Sequence, residues 1–144
     1  MGAPAESGSC AAYARVSQPY SGDNPTAWTT HSYDALGRTT CVSLPINSGT
    51  TTYVYTGNIV RVSDPKLHWR EYETDVFGNV AKVTEKGPNG GANHETTYAY
   101  DMFNRLTDVT MPRSGTTQTR RFAYNTLGQL LTTANPENGT TGHL

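Results

Sequence analysis

Tyr33-Asp34-Ala35-Leu36-Gly37-Arg38 is the stretch that decides how this chain reads, because its pattern returns four more times. The further copies are Tyr55-Thr56-Gly57-Asn58, Thr74-Asp75-Val76-Phe77-Gly78-Asn79, Tyr100-Asp101-Met102-Phe103-Asn104-Arg105 and Tyr124-Asn125-Thr126-Leu127-Gly128-Gln129. Their anchors, at 37, 57, 78, 104 and 128, lie 20 to 26 residues apart. Eight residues after four of these anchors stands a proline, at Pro45, Pro65, Pro112 and Pro136; in the third copy it slips to Pro88. Self-similarity at such a period is the signature of a repeat architecture.

Each anchor reads as a hairpin turn. Asp34, Asp75, Asp101 and Asn125 can accept hydrogen bonds from turn amides through their side chains. Gly37, Gly57, Gly78 and Gly128 then supply the left-handed backbone that such loops require. Asn104 is the best non-glycine substitute, since asparagine tolerates positive φ better than most residues. The second copy drops two residues, which predicts a shorter loop. The trailing prolines are expected to end each return strand, because proline has no N–H to give a ladder.

The two-residue period of a strand assigns the faces. Tyr33, Tyr53, Tyr55, Tyr72, Tyr98, Tyr100, Phe122 and Tyr124 alternate onto one face of the outgoing strands. In the return strands the matching positions are Thr40/Val42, Val60/Val62, Ala81/Val83, Thr107/Val109 and Leu131/Thr133. Stacked hairpins would thus line aromatic columns beside a β-branched column. A tyrosine ring packs against its neighbour while its hydroxyl reaches water or a carbonyl. Leu36, Phe77, Phe103 and Leu127, just before the anchors, are expected to pin each turn onto the next.

Composition agrees with an all-β chain of tandem antiparallel hairpins. Among 144 residues, hydrophobic ones make up 35%, with nine Tyr against three Phe and two Trp, and Gly and Pro number 14 and 8. That mixture favours strands punctuated by turns over long helices. Residues 1–10 read as a flexible N-terminal segment, 11–139 as the hairpin array with a half unit at its start, and 140–144 as the start of a truncated further repeat. Ala14-Arg15-Val16-Ser17-Gln18-Pro19 matches Arg61-Val62-Ser63-Asp64-Pro65 as a return strand lacking its outgoing partner.

Charge and motifs exclude several functions. With 16% charged residues, a net charge of −1 and no basic run longer than Arg120-Arg121, nothing offers the basic stripe of a nucleic-acid binder. No stretch approaches the roughly 18 apolar residues of a membrane span. The first residues, Met1 to Ser9, lack the basic start and apolar core of an export signal. His31, His68, His94 and His143 show no ligand-like spacing, so no metal and no cofactor is expected. The serines have no nucleophile-elbow context. No catalytic residue is assigned, and the chain is expected not to be an enzyme. Cys10 and Cys41 are too few to define a disulfide framework, and their unlike positions in the repeat argue against their pairing.

The Tyr-Asp-x-x-Gly-Arg core at 33–38, with its relatives at 100–105 and 124–129, resembles the Rhs/YD-repeat family over roughly residues 29 to 139. Thr74 in place of the tyrosine and Asn104 in place of the glycine are the departures. That family comprises bacterial Rhs proteins, wall-associated proteins, shell subunits of insecticidal Tc toxins and animal teneurins. The resemblance implies a continuous β-strip belonging to a shell, of which five hairpins would be a part. It implies a structural role in a secreted or cell-surface bacterial protein whose shell encloses or displays another domain, such as a toxin. Some members cleave themselves through an aspartate pair near an Asp-Pro-x-Gly region; Asp64-Pro65-Lys66-Leu67 lacks that glycine and reads as an ordinary strand end. Partners implied are neighbouring repeats of a longer parent or other copies of the chain. Open strand edges would also permit self-assembly. The aromatic columns raise glycan stacking as a further possibility, against the plainer reading that they are the packing between hairpins.

Overall fold

The computed structural model describes residues 14–19, 21–22, 24–45, 48–113 and 115–143. The expected N-terminal segment 1–10, including Cys10, lies outside them. Twelve strands account for nearly all regular structure: β1 (Ala14–Ser17), β2 (Trp28–Tyr33), β3 (Thr39–Ser43), β4 (Thr50–Thr56), β5 (Ile59–Ser63), β6 (Trp69–Thr74), β7 (Val80–Glu85), β8 (His94–Tyr100), β9 (Leu106–Arg113), β10 (Thr116–Tyr124), β11 (Leu130–Asn135) and β12 (Gly139–Gly142). A single 3-10 turn occupies Pro88–Gly90. The strand order in the sheet is the order in sequence, and the paired strands run antiparallel. The fold is therefore all-β and built of successive hairpins. Two compact units can be distinguished: the first runs to Tyr55 and includes Arg61–Trp69, and the second comprises Thr56–Val60 and Arg70–Leu144.

In the second unit the registers fix the two faces. Tyr72 stands opposite Val83 and Val83 opposite Thr96; Tyr98 stands opposite Val109, and Phe122 opposite Thr133. The reverse face carries Glu73, Lys82, Thr97, Thr110 and Thr119 in one cross-strand row. Lys82 Nζ holds Glu73 there at 2.9 Å, and Arg121 reaches its cross-strand partner Asp108 at 3.3 Å.

Strict alternation is broken once in each of four hairpins. The register shifts between Ser32 and Tyr33, Glu73 and Thr74, Ala99 and Tyr100, and Ala123 and Tyr124. Thr40, Ala81, Thr107 and Leu131 are thereby the extra residues of β-bulges beside the turns, where a bulge sharpens local twist.

Three sequence-based expectations need correction. Pro112 does not end its strand but lies within β9, opposite Thr117. It falls beyond Thr110, the last β9 residue paired to β8, so its missing N–H deprives no β8 residue of a donor. Leu36, Phe77, Phe103 and Leu127 do not pin turns: they are 77, 82, 70 and 82% exposed. They occupy the loop tips, where solvent reaches most of each side chain. Asp64-Pro65-Lys66-Leu67 is not a plain strand end but a full hairpin turn joining β5 to β6, with Leu67 at φ 62°. Cys41, buried between Ser32 and Thr52, is held in a disulfide. The expectation about its pairing with Cys10 lies outside the described residues.

Candidate functional site

The feature that recurs along the chain is a clasp between one turn and the next, built on the Asp/Asn loops. In each five-residue loop the first residue closes the turn with its backbone and then locks it with its side chain. Asp34 N–H donates to the Arg38 carbonyl at 2.9 Å, and Gly37 N–H donates to the Asp34 carbonyl at 3.0 Å. Asp34 Oδ1 accepts the Leu36 and Arg38 amides, both at 2.9 Å. The same four bonds recur at Asp64, Asp75, Asp101 and Asn125. The residue closing the loop adds a side-chain contact: Arg38 to Asp34 Oδ2 at 2.7 Å, Asn79 to Asp75 at 3.0 Å, Arg105 to Asp101 at 2.7 Å, and Asn125 to Gln129 at 2.7 Å. In the Asp64 loop this place is held by His68, whose Nδ1 lies 3.3 Å from Asp64 Oδ2.

The anchors adopt the positive φ that the loops demand, at 76° for Gly37, 60° for Gly57, 87° for Gly78, 65° for Asn104 and 82° for Gly128. Gly57 and Asn58 form a two-residue loop with positive φ at Gly57 alone, the requirement of a type II′ hairpin turn.

Charge follows from this geometry. The Arg38 amide beside Asp34 holds that carboxyl below its ordinary value, with the Arg38 side chain and Leu36 amide adding to the effect. The His68 amide does the same for Asp64, the Asn79 side chain for Asp75, and the Arg105 amide for Asp101. Hydrogen bonds to the ionised form favour it.

The tyrosines complete the clasp. In the first unit Tyr55 donates its hydroxyl to the Thr39 carbonyl at 2.9 Å, while the Arg38 guanidinium lies 4.2 Å from its ring centre. In the second, Tyr100 donates to the Val80 carbonyl at 3.0 Å and Tyr124 to the Leu106 carbonyl at 2.9 Å. Thr39, Val80 and Leu106 each lie two residues past an anchor, so the contact is the same one repeated. Arg105 lies 4.8 Å from the Tyr124 ring and donates from Nη1 to the Asn125 carbonyl at 3.1 Å. Asn79 Nδ2 donates to Asn104 Oδ1. Thr74, standing where the other copies have tyrosine, donates its hydroxyl to the Asn58 carbonyl at 3.2 Å, and Asn58 donates back to the Thr74 carbonyl at 2.7 Å. Burial raises the Tyr100 pKa, with the nearby Asp75 charge adding to it, so its hydroxyl stays a donor well into the alkaline range.

The remaining aromatic residues take different places. Tyr53, Tyr72, Tyr98 and Phe122 are half-buried within their strands. Tyr33 is the most open of the set and stacks on His31 with ring centres 6.5 Å apart. The residue after each anchor received no role from the sequence, although Arg38, Asn79 and Arg105 carry the turn-to-turn contacts. The available signal was a long polar side chain at that one place in every five-residue loop. Asp64 and Arg61, which lies over the Trp69 ring at 4.5 Å, were missed as well.

Among the described residues no group of three or more His, Cys, Asp or Glu gathers as a metal site, and no helix is long and apolar enough to cross a membrane. A polar depression on the reverse face brings Glu71, Glu73 and Glu95 toward Lys82, whose pKa is raised chiefly by its bond to Glu73. No protein-family model matches this chain, and no curated protein matches it.

Proposed function

We propose that this chain is a structural scaffold segment of the Rhs/YD-repeat kind, from a secreted or surface-delivered protein whose shell encloses or displays another domain. The observation that carries the reading is the repeated clasp. A recurring set of polar contacts joins one hairpin to the next, with Tyr55, Tyr100 and Tyr124 donating to equivalent carbonyls. Contacts of that kind serve an array whose units are stabilised by their neighbours.

The test is made on the full-length parent polypeptide. Its reading frame should continue the repeat on at least one side, and a domain encoded beside the array should resist added protease. Tyr100→Ala with Tyr124→Ala, which opens two clasps, should expose that domain to cleavage. A parent without further repeats, or a neighbouring domain cut equally fast with and without these changes, overturns the scaffold reading.

Glycan binding through the aromatic face is a second reading, supported by the exposure of Tyr33 and Trp28, each 38% open. The rings of Tyr55 and Tyr124 are already covered on one side by arginine, so stacking would fall to Tyr33. A glycan array in which binding vanishes with Tyr33→Ala supports it; binding indifferent to that change removes it.

A further inference from the structure

The loop tips of the second unit carry a largely exposed apolar row, of which Phe103 alone meets a clasp residue, the Arg105 guanidinium 5.1 Å from its ring centre. Val76 and Phe77 cap the β6–β7 loop, Met102 and Phe103 the β8–β9 loop, and Leu127 the β10–β11 loop. All three loops lie at the same end of their strands, and their neighbours are tied together by the Asn79–Asn104 and Arg105–Asn125 contacts. Val76 and Met102 are 94 and 90% exposed, and Phe77, Phe103 and Leu127 are mostly exposed too. Five such side chains present on the order of 700 Å² of largely apolar surface, taking typical aromatic and aliphatic areas. A monomer rarely leaves so much contiguous apolar surface open without a use.

We propose that this row is an interface with a second copy of the same chain, the two rows meeting antiparallel about a two-fold axis. Three observations single out this occupant. The first is shape: successive loops stand two strand spacings apart, roughly 9–10 Å. That leaves gaps about one apolar side chain wide, so an inverted row seats its ridges in the gaps of the other. The second is charge. Arg105 neutralises Asp101 within its own loop, and Asn125, Thr126 and Gln129 carry none, which leaves Asp75 as the one uncompensated charge of the three loops. Little opposes the approach of an identical surface. The third is area, which approaches the roughly 800 Å² per partner of a standard interface. A lipid surface fits less well: anionic membranes select clusters of Lys and Arg, and the only cation here, Arg105, is engaged with Asp101 and the Asn125 carbonyl.

This interface is independent of the scaffold reading and of pairing through strand edges. Sedimentation velocity on the full chain, from low-micromolar to submillimolar concentration, should show a reversible dimer. Phe77→Ser with Phe103→Ser should weaken association at least about tenfold and leave the β-sheet circular dichroism unchanged, because both side chains are exposed. Gly142→Pro, at a position whose N–H faces away from β11, blocks the free edge of β12 and should leave the dimer intact. A chain that stays monomeric throughout overturns the proposal. So does a dimer that survives the tip changes but is lost with Gly142→Pro, which would assign association to the edges. Flotation of the monomer with vesicles, abolished by the tip changes, would assign the row to lipid and equally overturn it.

Discussion

A carboxylate or amide oxygen at the first position of a loop does here what several residues do elsewhere. Asp101 Oδ1 accepts the Phe103 and Arg105 amides at 2.9 and 3.0 Å, and Asn125 Oδ1 accepts the Leu127 and Gln129 amides at 2.9 Å each. An amide oxygen thus suffices for the lock, and the negative charge is an addition to it. Asn125→Ala removes the one oxygen that accepts both amides and should cost about 1 kcal/mol, read from chemical denaturation, whereas Asn125→Asp should be tolerated. The aspartates predict the response to acid. Asp34, Asp64, Asp75 and Asp101 are all held below the ordinary value of 3.8, so the unfolded chain binds protons more readily than the folded one. The stability they contribute is complete above that value and is lost as pH falls through the lowered folded values. Melting temperature should therefore hold steady down to weakly acidic pH and drop steeply below about pH 4. Replacing all four by asparagine should flatten that drop, and an unchanged profile would show that the loops are not its source.

At the scale of the hairpin, the hydroxyl of each clasp tyrosine is the separable part. Tyr124→Phe keeps the ring beneath Arg105 and deletes only the bond to the Leu106 carbonyl, which should cost about 0.5–1.5 kcal/mol in thermal or denaturant unfolding. Tyr53→Phe, a tyrosine outside the clasps, should cost less. Hairpin positions were readable from sequence because a residue with positive φ announces itself: Gly37, Gly57, Gly78, Asn104 and Gly128 are the types that tolerate it. Leu67 hides the β5–β6 loop for the same reason, since leucine at φ 62° is a poor advertisement for a turn. The bulges were illegible because the inserted residues, Thr40, Ala81, Thr107 and Leu131, range from polar to apolar and follow no common type. The clasp was half legible. Tyrosine was recognised as packing with a polar handle, but the destination of Arg38 or Arg105 depends on which loop becomes the neighbour, and that is a property of the pairing.

For the molecule as a whole, the sheet has almost no interior. No side chain among the described residues is fully buried, and Cys41 is the only buried hydrophobic residue among them. Stability has to come from ladders, half-buried cross-strand pairs and clasps, each shared between neighbours. Amide exchange should reflect this position by position. Amides of β9, flanked by β8 and β10, should exchange most slowly, and those of β12, paired to β11 alone, fastest. Uniform protection from β9 to β12 would mean that the second unit opens as one body. The tip row belongs to this scale too, for a thin sheet that leaves Val76, Phe77, Met102, Phe103 and Leu127 outside keeps an apolar surface available for association.

The clasp also has a direction. Arg38 reaches forward to Tyr55, Asn79 to Asn104, and Arg105 to Asn125 and Tyr124, while each tyrosine hydroxyl reaches back. A hairpin therefore presents one kind of surface to its predecessor and the complementary kind to its successor, like a brick with a stud and a socket. Whole hairpins can be duplicated or deleted by recombination within a gene, and a joint between tyrosine-bearing copies keeps the same hydroxyl-to-carbonyl bond. Such a chain can change its length without having to redesign its packing.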